Sequence, residues 1–331
     1  MNLLGIDVSN NTFDATRAAG QGVSRRPFSN TPSGHRQFIQ WALRGTDAAR
    51  VCLEATGIYH LQLALALDRH PAIELMVVNP RAARRFAEAH MVRAKTDAID
   101  ADGLLLFVQR MPFRPWLAPR EEVLQLQSLA HRVTQLDKEL ARERSRLHAA
   151  RKAGPHTLPV QQDIQAHIKQ LQRRKDAMQA RAVEVIRGDE ALAEEARLID
   201  TAPGFAERSS SQLLAELAPL PADMQASQWV AQAGIDPRPG ESGTSVRSAR
   251  QISKQGNARI RATLFMPALV AIRHDPNVAA YYQHLLARGK SKMTAITAVM
   301  RKLLVAIWGM LQHRQAWDGE KFYRLNPPQT T

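Results

Sequence analysis

Leu3-Leu4-Gly5-Ile6-Asp7-Val8 is a short apolar run with one acid near its end, and the architecture of the N-terminal third turns on it. A buried strand has this look, with the acid placed where the strand runs out. Thr12 to Ala19 and Val23 to Phe28 read as its hairpin partner and a third strand. Ser33 to Leu43 then shows helical spacing, with Phe38, Ile39 and Trp41 on the apolar side. Ala49 to Leu53 reads as a buried strand that ends at Glu54, Tyr59 to Asp68 as a helix, and Ile73 to Val78 as a strand stopped by Asn79-Pro80. Three strands followed by helix and strand in alternation predict a mixed sheet with helices packed against it.

Beyond about Glu121 the texture changes. Leu126, Leu129, Val133, Leu136, Leu140 and Leu147 follow heptad spacing, interrupted at Glu143, until Gly154-Pro155 breaks the helix. Ile164, Ile168, Leu171, Met178 and Val185 continue the pattern, with Lys175 out of place. Two long helices about a short breaker predict an antiparallel coiled-coil hairpin, either a subdomain packed on its own chain or a protruding dimerisation arm. The rest of the chain reads as mainly helical, with an irregular stretch from Gly234 to Gly256. The expected division is 1–120, 121–190 and 191–331.

The 331 residues carry 45 Lys+Arg against 31 Asp+Glu, a net charge of +14, which suits a polyanionic partner. A lone cysteine, Cys52, excludes an internal disulfide and reads as a small core residue. No leader pattern opens the chain and no stretch reads as a membrane span, so a cytoplasmic protein, nucleoid-associated when bound to DNA, is expected.

Four acids stand out by placement. Asp7 and Glu54 end strands, and Asp97 and Asp100 lie in Lys95-Thr96-Asp97-Ala98-Ile99-Asp100, read as a helix start whose i, i+3 spacing puts both on one face. Carboxylates gathered over a sheet edge repel one another unless a divalent cation neutralises them, and Mg²⁺ or Mn²⁺ prefers such hard oxygen ligands. Singly, each has an ordinary role in a turn, an ion pair or a helix N-terminus. Asp102 reads as structural.

Gly-Ile-Asp7, Glu54-Ala55-Thr56-Gly57 and Lys95-Thr96-Asp97-Ala98-Ile99-Asp100-Ala101 together resemble the DEDD-type insertion-sequence transposases, a family that includes Piv-like DNA invertases and bridge-RNA-guided recombinases. The resemblance implies an α/β RuvC-like, ribonuclease-H-type N-terminal domain, with Asp7, Glu54, Asp97 and Asp100 as metal-binding, catalytic acids. It also implies a DNA substrate and a structured guide RNA.

Pro239-Gly240-Glu241-Ser242-Gly243-Thr244-Ser245-Val246-Arg247 is a polar, glycine-bearing stretch in which a hydroxyl could attack a phosphodiester and hold it as a phosphoserine. Read from the residues alone it is a turn, and no histidine base lies beside it. It resembles the serine-bearing motif of the same family's C-terminal domain, which marks Ser242 as the nucleophile ahead of Thr244 and Ser245. From Ser242 to Lys302, eleven Lys/Arg stand against one Asp275; Arg247, Arg250, Lys254, Arg259, Arg301 and Lys302 are the candidate nucleic-acid contacts, with a solvated basic surface as the alternative. Leu198 to Phe205 followed by Ser210 to Leu217 resembles a helix-hairpin-helix with Ala206 at its second glycine, and equally a plain packing turn.

The sequence therefore predicts a transposase-type recombinase, acting as a homodimer or homotetramer, whose carboxylates and serine form one composite site. A RuvC-like nuclease or junction resolvase without serine chemistry is the alternative, and a non-catalytic nucleic-acid-binding protein is a third reading. A sugar-kinase or actin-like ATPase is disfavoured, because Asp7-Val8-Ser9-Asn10-Asn11 lacks a glycine-rich phosphate loop.

Overall fold

The computed structural model describes residues 1–19, 22–55, 57–89, 100–237, 241–242, 246–247 and 251–325. Asp97, Arg250, Thr244 and Ser245 lie outside the described residues. The chain forms two units, Met1–Ala118 and Pro119–Thr331.

In the first unit, β1 (Asn2–Val8), β2 (Thr12–Ala19) and β3 (Gly22–Ser29) form an antiparallel meander, and β4 (Ala49–Glu54) and β5 (Ile73–Val78) add in parallel on the other side of β1. The resulting five-stranded order is β3-β2-β1-β4-β5. Period-two alternation divides the sheet's faces. Leu4, Ile6, Phe13, Phe28, Val51 and Leu53 pack on one side against α1 (Pro32–Ala42) and α2 (Leu61–Asp68), where Phe13 stacks on Phe28 at 5.4 Å and Phe38 meets both edge-on. Cys52, Met76 and Val78 face the other side, covered by α3 (Pro80–Ala89) and α4 (Ala101–Arg110) through Phe86, Leu104, Leu105 and Phe107. Cys52 is fully buried and its thiol is pushed up to about 12 by burial and by the nearby Glu54, an inert core residue as its apolar setting predicts.

Gly5 sets how closely α4 crosses β1. A Cβ there would lie 2.1 Å from the Ala101 carbonyl oxygen and 2.2 Å from the Leu105 amide nitrogen, so only glycine admits the helix.

The second unit opens with α5 (Glu121–Ala153) and α6 (Leu158–Arg187), an antiparallel hairpin turned at Gly154, whose φ of 112° is a glycine conformation. The buried seam of α5 runs Leu126, Ala130, Val133, Leu136, Leu140, Glu143, Leu147. Ala130 is buried beside the expected Leu129, which is half-buried and packs against the same core. Glu143 and Lys175 belong to the packed faces instead of interrupting them. Glu143 accepts from Arg146 Nη1 at 2.5 Å, and Lys175 Nζ donates to Asp137 Oδ1 at 3.2 Å.

The hairpin's root joins the main core through Val123, Leu126, Ala182 and Ile186. That core is built by α7 (Glu190–Asp200), α8 (Glu207–Leu217), α9 (Ala226–Ala233), α10 (Ala258–His274), α11 (Pro276–Ala287), α12 (Lys292–His313) and α13 (Gly319–Phe322). One point of the sequence reading is corrected here: α12 is long and apolar enough to cross a membrane. Its buried Ala295, Val299, Leu303, Leu304 and Ile307 place it at the centre of the unit's core, the ordinary source of such a composition. The α7–α8 turn is closed by packing: Gly204 (φ 85°) lies so near Pro267 of α10 that a Cβ would stand 2.3 Å from its carbonyl oxygen.

Candidate active site

Asp7 is the last odd position of β1 and so lies on the α4 side of the sheet, opposite the Leu4–Ile6–Val8 core face. The parallel ladder ends at the Ile6–Leu53 pair, and the next residue on each strand is an acid, Asp7 and Glu54. Both strands thus deliver a carboxylate to one sheet end, as the sequence predicts. Asp100 arrives from α4 in a different way from that predicted. It is the N-cap, in extended backbone, and its Oδ1 accepts from Gly103 N at 2.9 Å. It therefore precedes α4 rather than occupying a face of it, and Asp97, its expected partner on a shared face, lies outside the described residues. What brings Asp100 to Asp7 is the close seating of α4 on Gly5.

A further acid, absent from the sequence reading, joins them. Asp14 sits directly opposite Asp7 in the β1–β2 ladder, and Asp7, Asp14 and Asp100 line one cleft with Arg25. The signal was present in the alternation Phe13-Asp14-Ala15-Thr16, whose even members face the α4 side. Burial, followed by the charges of Asp14 and Asp100, raises the Asp7 pKa, and the Val8 amide counters this in part. The cleft's other acid is neutralised: Asp102 is gripped by Arg25, with Nε at 2.9 and 3.0 Å from its two oxygens, and accepts from the buried Thr16 hydroxyl at 2.7 Å. The Arg25 hydrogen bonds hold the Asp102 pKa below its ordinary value. Asp102 is structural, as expected, and its clamp ties β2 and β3 to the first turn of α4.

Among the described residues, no three His, Cys, Asp or Glu side chains form a group that could hold a metal ion. The described donors are nonetheless hard carboxylate oxygens, and the Asp7 pKa is raised first by burial and then by the neighbouring charges of Asp14 and Asp100. The donor chemistry of Asp7, Glu54 and Asp100 fits a divalent magnesium-class ion.

In the second unit, Ser242 lies in β6 (Glu241–Ser242), which pairs with β7 (Val246–Arg247) in the register Ser242–Val246 and Glu241–Arg247. The sequence reading has Gly234 to Gly256 as irregular; its described residues hold this two-residue antiparallel pairing and a set of clasping contacts on either side of it. Pro237 bridges Ile252, Ser253 N and Oγ both donate to Asp236, and Lys254 N donates to the Gly234 carbonyl at 3.0 Å. Arg261 Nη1 donates to the Ala233 carbonyl at 2.7 Å. Asn257 caps α10 and donates to Glu216 Oε2 at 2.5 Å, while His131 Nε2 of α5 donates to Oε1 at 2.8 Å. Glu216 is 4% exposed; burial pushes its pKa up, but the His131 and Asn257 hydrogen bonds outweigh burial and hold it low. Sequence reasoning missed this network, since its members are scattered over 126 positions.

The nominated bases occupy unlike settings. Lys254 and Arg301 are exposed, Lys254 in the left-handed region at φ 51°. Arg259 is exposed with its Nε 3.9 Å from Glu216, and Arg247 lies in β7. Lys302 is enclosed by aromatic rings, with its Nζ 4.4, 4.9 and 5.3 Å from the centroids of Tyr281, Phe322 and Tyr323.

Two family models match the chain: a DEDD transposase model of the IS110 type over residues 4–153 and the transposase IS116/IS110/IS902 family over residues 196–283. The pilin gene-inverting protein of Moraxella bovis is 26% identical over 320 residues, 95% of this chain and 97% of that protein. Its counterpart in Moraxella lacunata is 25% identical over the same shares. A putative transposase of Sinorhizobium fredii is 40% identical over 87 residues, 24% of this chain and 22% of its own length.

Proposed function

The chain belongs to the IS116/IS110/IS902 transposase family, whose members are DNA transposases and recombinases, and we propose that it cuts and rejoins DNA with two chemical centres, the Asp7 corner and Ser242. The reading is supported by Asp7 and Glu54 ending neighbouring parallel strands and by Asp100 lining the cleft of Asp7, in a chain matched along nearly its whole length by gene-inverting proteins. A mixed sheet with a leading hairpin, parallel additions and acids at adjacent central strand ends is compatible with a RuvC-like, ribonuclease-H-type domain.

Asp7, Glu54, Asp97 and Asp100 would hold Mg²⁺ or Mn²⁺, which when bound supplies Lewis-acid stabilisation of charge at phosphorus. Asp7 presents its carboxylate from a half-buried site, Glu54 from the neighbouring strand, and Asp100 from a cap in which one oxygen accepts from Gly103 N. The Arg25–Asp102 pair keeps Asp102 out of the ligand set. The Ser242 Oγ attacks a phosphodiester, forms a P–O bond to serine, and displaces a sugar oxygen that leaves as a hydroxyl with the serine's proton. The hydroxyl of a second strand then attacks the phosphoserine, rejoins the DNA and returns the proton to serine. The clasp at Gly234, Asp236 and Ser253 flanks the strand pair that contains Ser242. Arg247, Arg250, Lys254, Arg259 and Arg301 supply positive charge for the strands. Lys302 was nominated with them, and its ring enclosure assigns it a packing role first. By family, a structured guide RNA specifies the DNA partners and the working form is a homodimer or homotetramer, in the cytoplasm on the nucleoid.

The test is a supercoiled-plasmid assay with Mg²⁺ and RNA co-purified from the native host, comparing wild type with Asp7→Ala and Ser242→Ala. Cleavage with a covalent protein–DNA adduct in wild type, lost in both variants, is expected. Cleavage that survives Ser242→Ala without adduct would leave a metal-dependent nuclease and overturn the serine chemistry.

A further inference from the structure

The α5–α6 hairpin is strongly polarised in charge along its length. Residues 121–140 hold four acids and two bases, whereas 141–175, which include the turn, hold nine lysines and arginines against two acids. Packing sharpens this asymmetry. Of the two distal acids, Glu143 is turned into the seam, 7% exposed, between Arg146 and His167, so Asp163 is the one exposed acid of this stretch. Arg144, Arg151 and Lys152 on α5 and Lys169, Arg173 and Arg174 on α6 are all exposed. None of these six makes an ion pair among the described residues. Elsewhere in the unit several bases are matched, Arg120 with Asp189, Arg187 with Glu207, Arg208 with Asp137 and Arg314 with Glu194, while others such as Lys254, Lys290 and Arg301 are exposed.

The spacing arranges these charges into rows. Arg144, His148, Arg151 and Lys152 follow at i, i+4, i+7 and i+8, and Lys169 and Arg173 at i, i+4, so each helix carries a continuous basic stripe. The thirteen α5 residues from Ala141 to Ala153 span about 20 Å, comparable to the width of a nucleic-acid duplex. This part of the hairpin offers a protein partner little. Its exposed large apolar side chains are Leu158 and Val160, both at the turn, and two copies brought together here would oppose like charges.

We propose that the distal half of the hairpin, residues 141–175, is a sequence-independent docking surface for duplex DNA, with Arg144, Arg151, Lys152, Lys169, Arg173 and Arg174 on its phosphates. This rests on DNA being the substrate, and on neither the carboxylates nor Ser242. The surface adds a second basic region, distinct from the one between Arg247 and Lys302, and would hold the flanks of a recombining duplex while chemistry proceeds elsewhere.

Neutralising the six bases to glutamine in the full chain tests it, read by fluorescence anisotropy on duplexes of unrelated sequence between 50 and 200 mM salt. Each lost phosphate contact flattens the log Kd against log salt slope by about 0.9. The variant is expected to flatten it by about 2–4 and to weaken binding at least about tenfold at the lower salt, equally for all sequences. A benzophenone side chain at the exposed Ala149, which keeps every base, should photocrosslink to the duplex. Unchanged affinity and slope, or no crosslink, overturns the proposal. So does a variant that loses binding to a structured RNA while keeping DNA, or one whose mass by light scattering falls with DNA binding intact. Wild type that binds no duplex at all would instead refute the recombinase reading beneath it.

Discussion

Replacing Gly5 with alanine should separate α4 from the sheet and take the carboxylate corner with it. The added Cβ would sit 2.1 Å from the Ala101 oxygen, 2.2 Å from the Leu105 nitrogen and 2.8 Å from the Leu104 carbonyl carbon, all backbone atoms with no rotamer to change. Ordinary contact begins at 3.4 Å, so the helix must retreat by about 1.3 Å. A gap of that order forfeits up to about half of the contact energy of the side chains lining it. Leu104, Leu105, Phe107 and Val108 carry the helix's buried face, at roughly 2 kcal/mol each, so the loss is about 3–4 kcal/mol. With an m-value near 2 kcal/mol/M, the urea midpoint of the N-terminal unit should fall by about 1.5–2 M. Gly45→Ala is the matched control: its φ of 77° strains any side chain, but nothing lies within 4 Å, so it should cost about 1 kcal/mol. Asp100 caps the displaced helix, so Mg²⁺-dependent plasmid cleavage should also vanish in Gly5→Ala and persist in Gly45→Ala. A Gly5→Ala midpoint no lower than that of Gly45→Ala would refute the claim that this glycine seats the helix.

Asp7→Asn should raise the melting temperature of the EDTA-treated protein at pH 7. Because the folded Asp7 pKa lies above 3.8, the stability linked to its protonation is complete below 3.8 and lost as pH rises through the folded value, so the asparagine's advantage should fade towards acid pH. An asparagine variant less stable than wild type at pH 7 contradicts this. Glu216→Ala strips His131 and Asn257 of a buried partner and should cost about 3 kcal/mol in urea unfolding. Since Glu216 titrates below 4.5, its contribution should be present above that pH and lost as pH falls through the depressed folded value; an acid-unfolding profile identical in wild type and variant would sink the assignment. Lys302→Met should speed hydrogen exchange across Gly319–Phe322 while leaving the salt slope of DNA binding unchanged, and a flattened slope would return Lys302 to the phosphate contacts.

The parts of the fold that follow from local chemistry were readable in the chain. The Leu4-Ile6-Val8 alternation, the Asn79-Pro80 stop and the Gly154-Pro155 break each act within a few residues, and the strands and hairpin lie where those signals put them. Asp7 and Glu54 were readable for the same reason, since each follows an apolar strand. Asp100 was placed by the wrong local rule: its i, i+3 relation to Asp97 suggested a helical face, whereas its extended backbone makes it the cap. Asp14 went unseen because its proximity to Asp7 is a matter of ladder register, and nothing within β2 alone reveals which residue of β1 it opposes. The Glu216 network is further still from sequence. A buried glutamate within an apolar helix looks like a surface residue until His131 and Asn257 are brought to it by packing.

Net charge shows the same limit from the other side. The +14 of the chain announces a polyanion without saying which bases meet it. Density along the sequence favours the stretch from Ser242 to Lys302, yet there Lys302 is enclosed by rings, Arg261 is committed to the Ala233 carbonyl, and Arg259 leans towards Glu216. The distal hairpin has a smaller excess but holds six exposed bases without acidic partners. Phosphate binding draws on cations that are free to exchange counterions, so what counts is unpaired, exposed charge rather than total charge. By that criterion both stretches qualify: Lys254, Arg273, Arg288, Lys290, Lys292 and Arg301 are likewise exposed with no ion pair among the described residues, and what sets the hairpin tip apart is that its six lie along two packed helices.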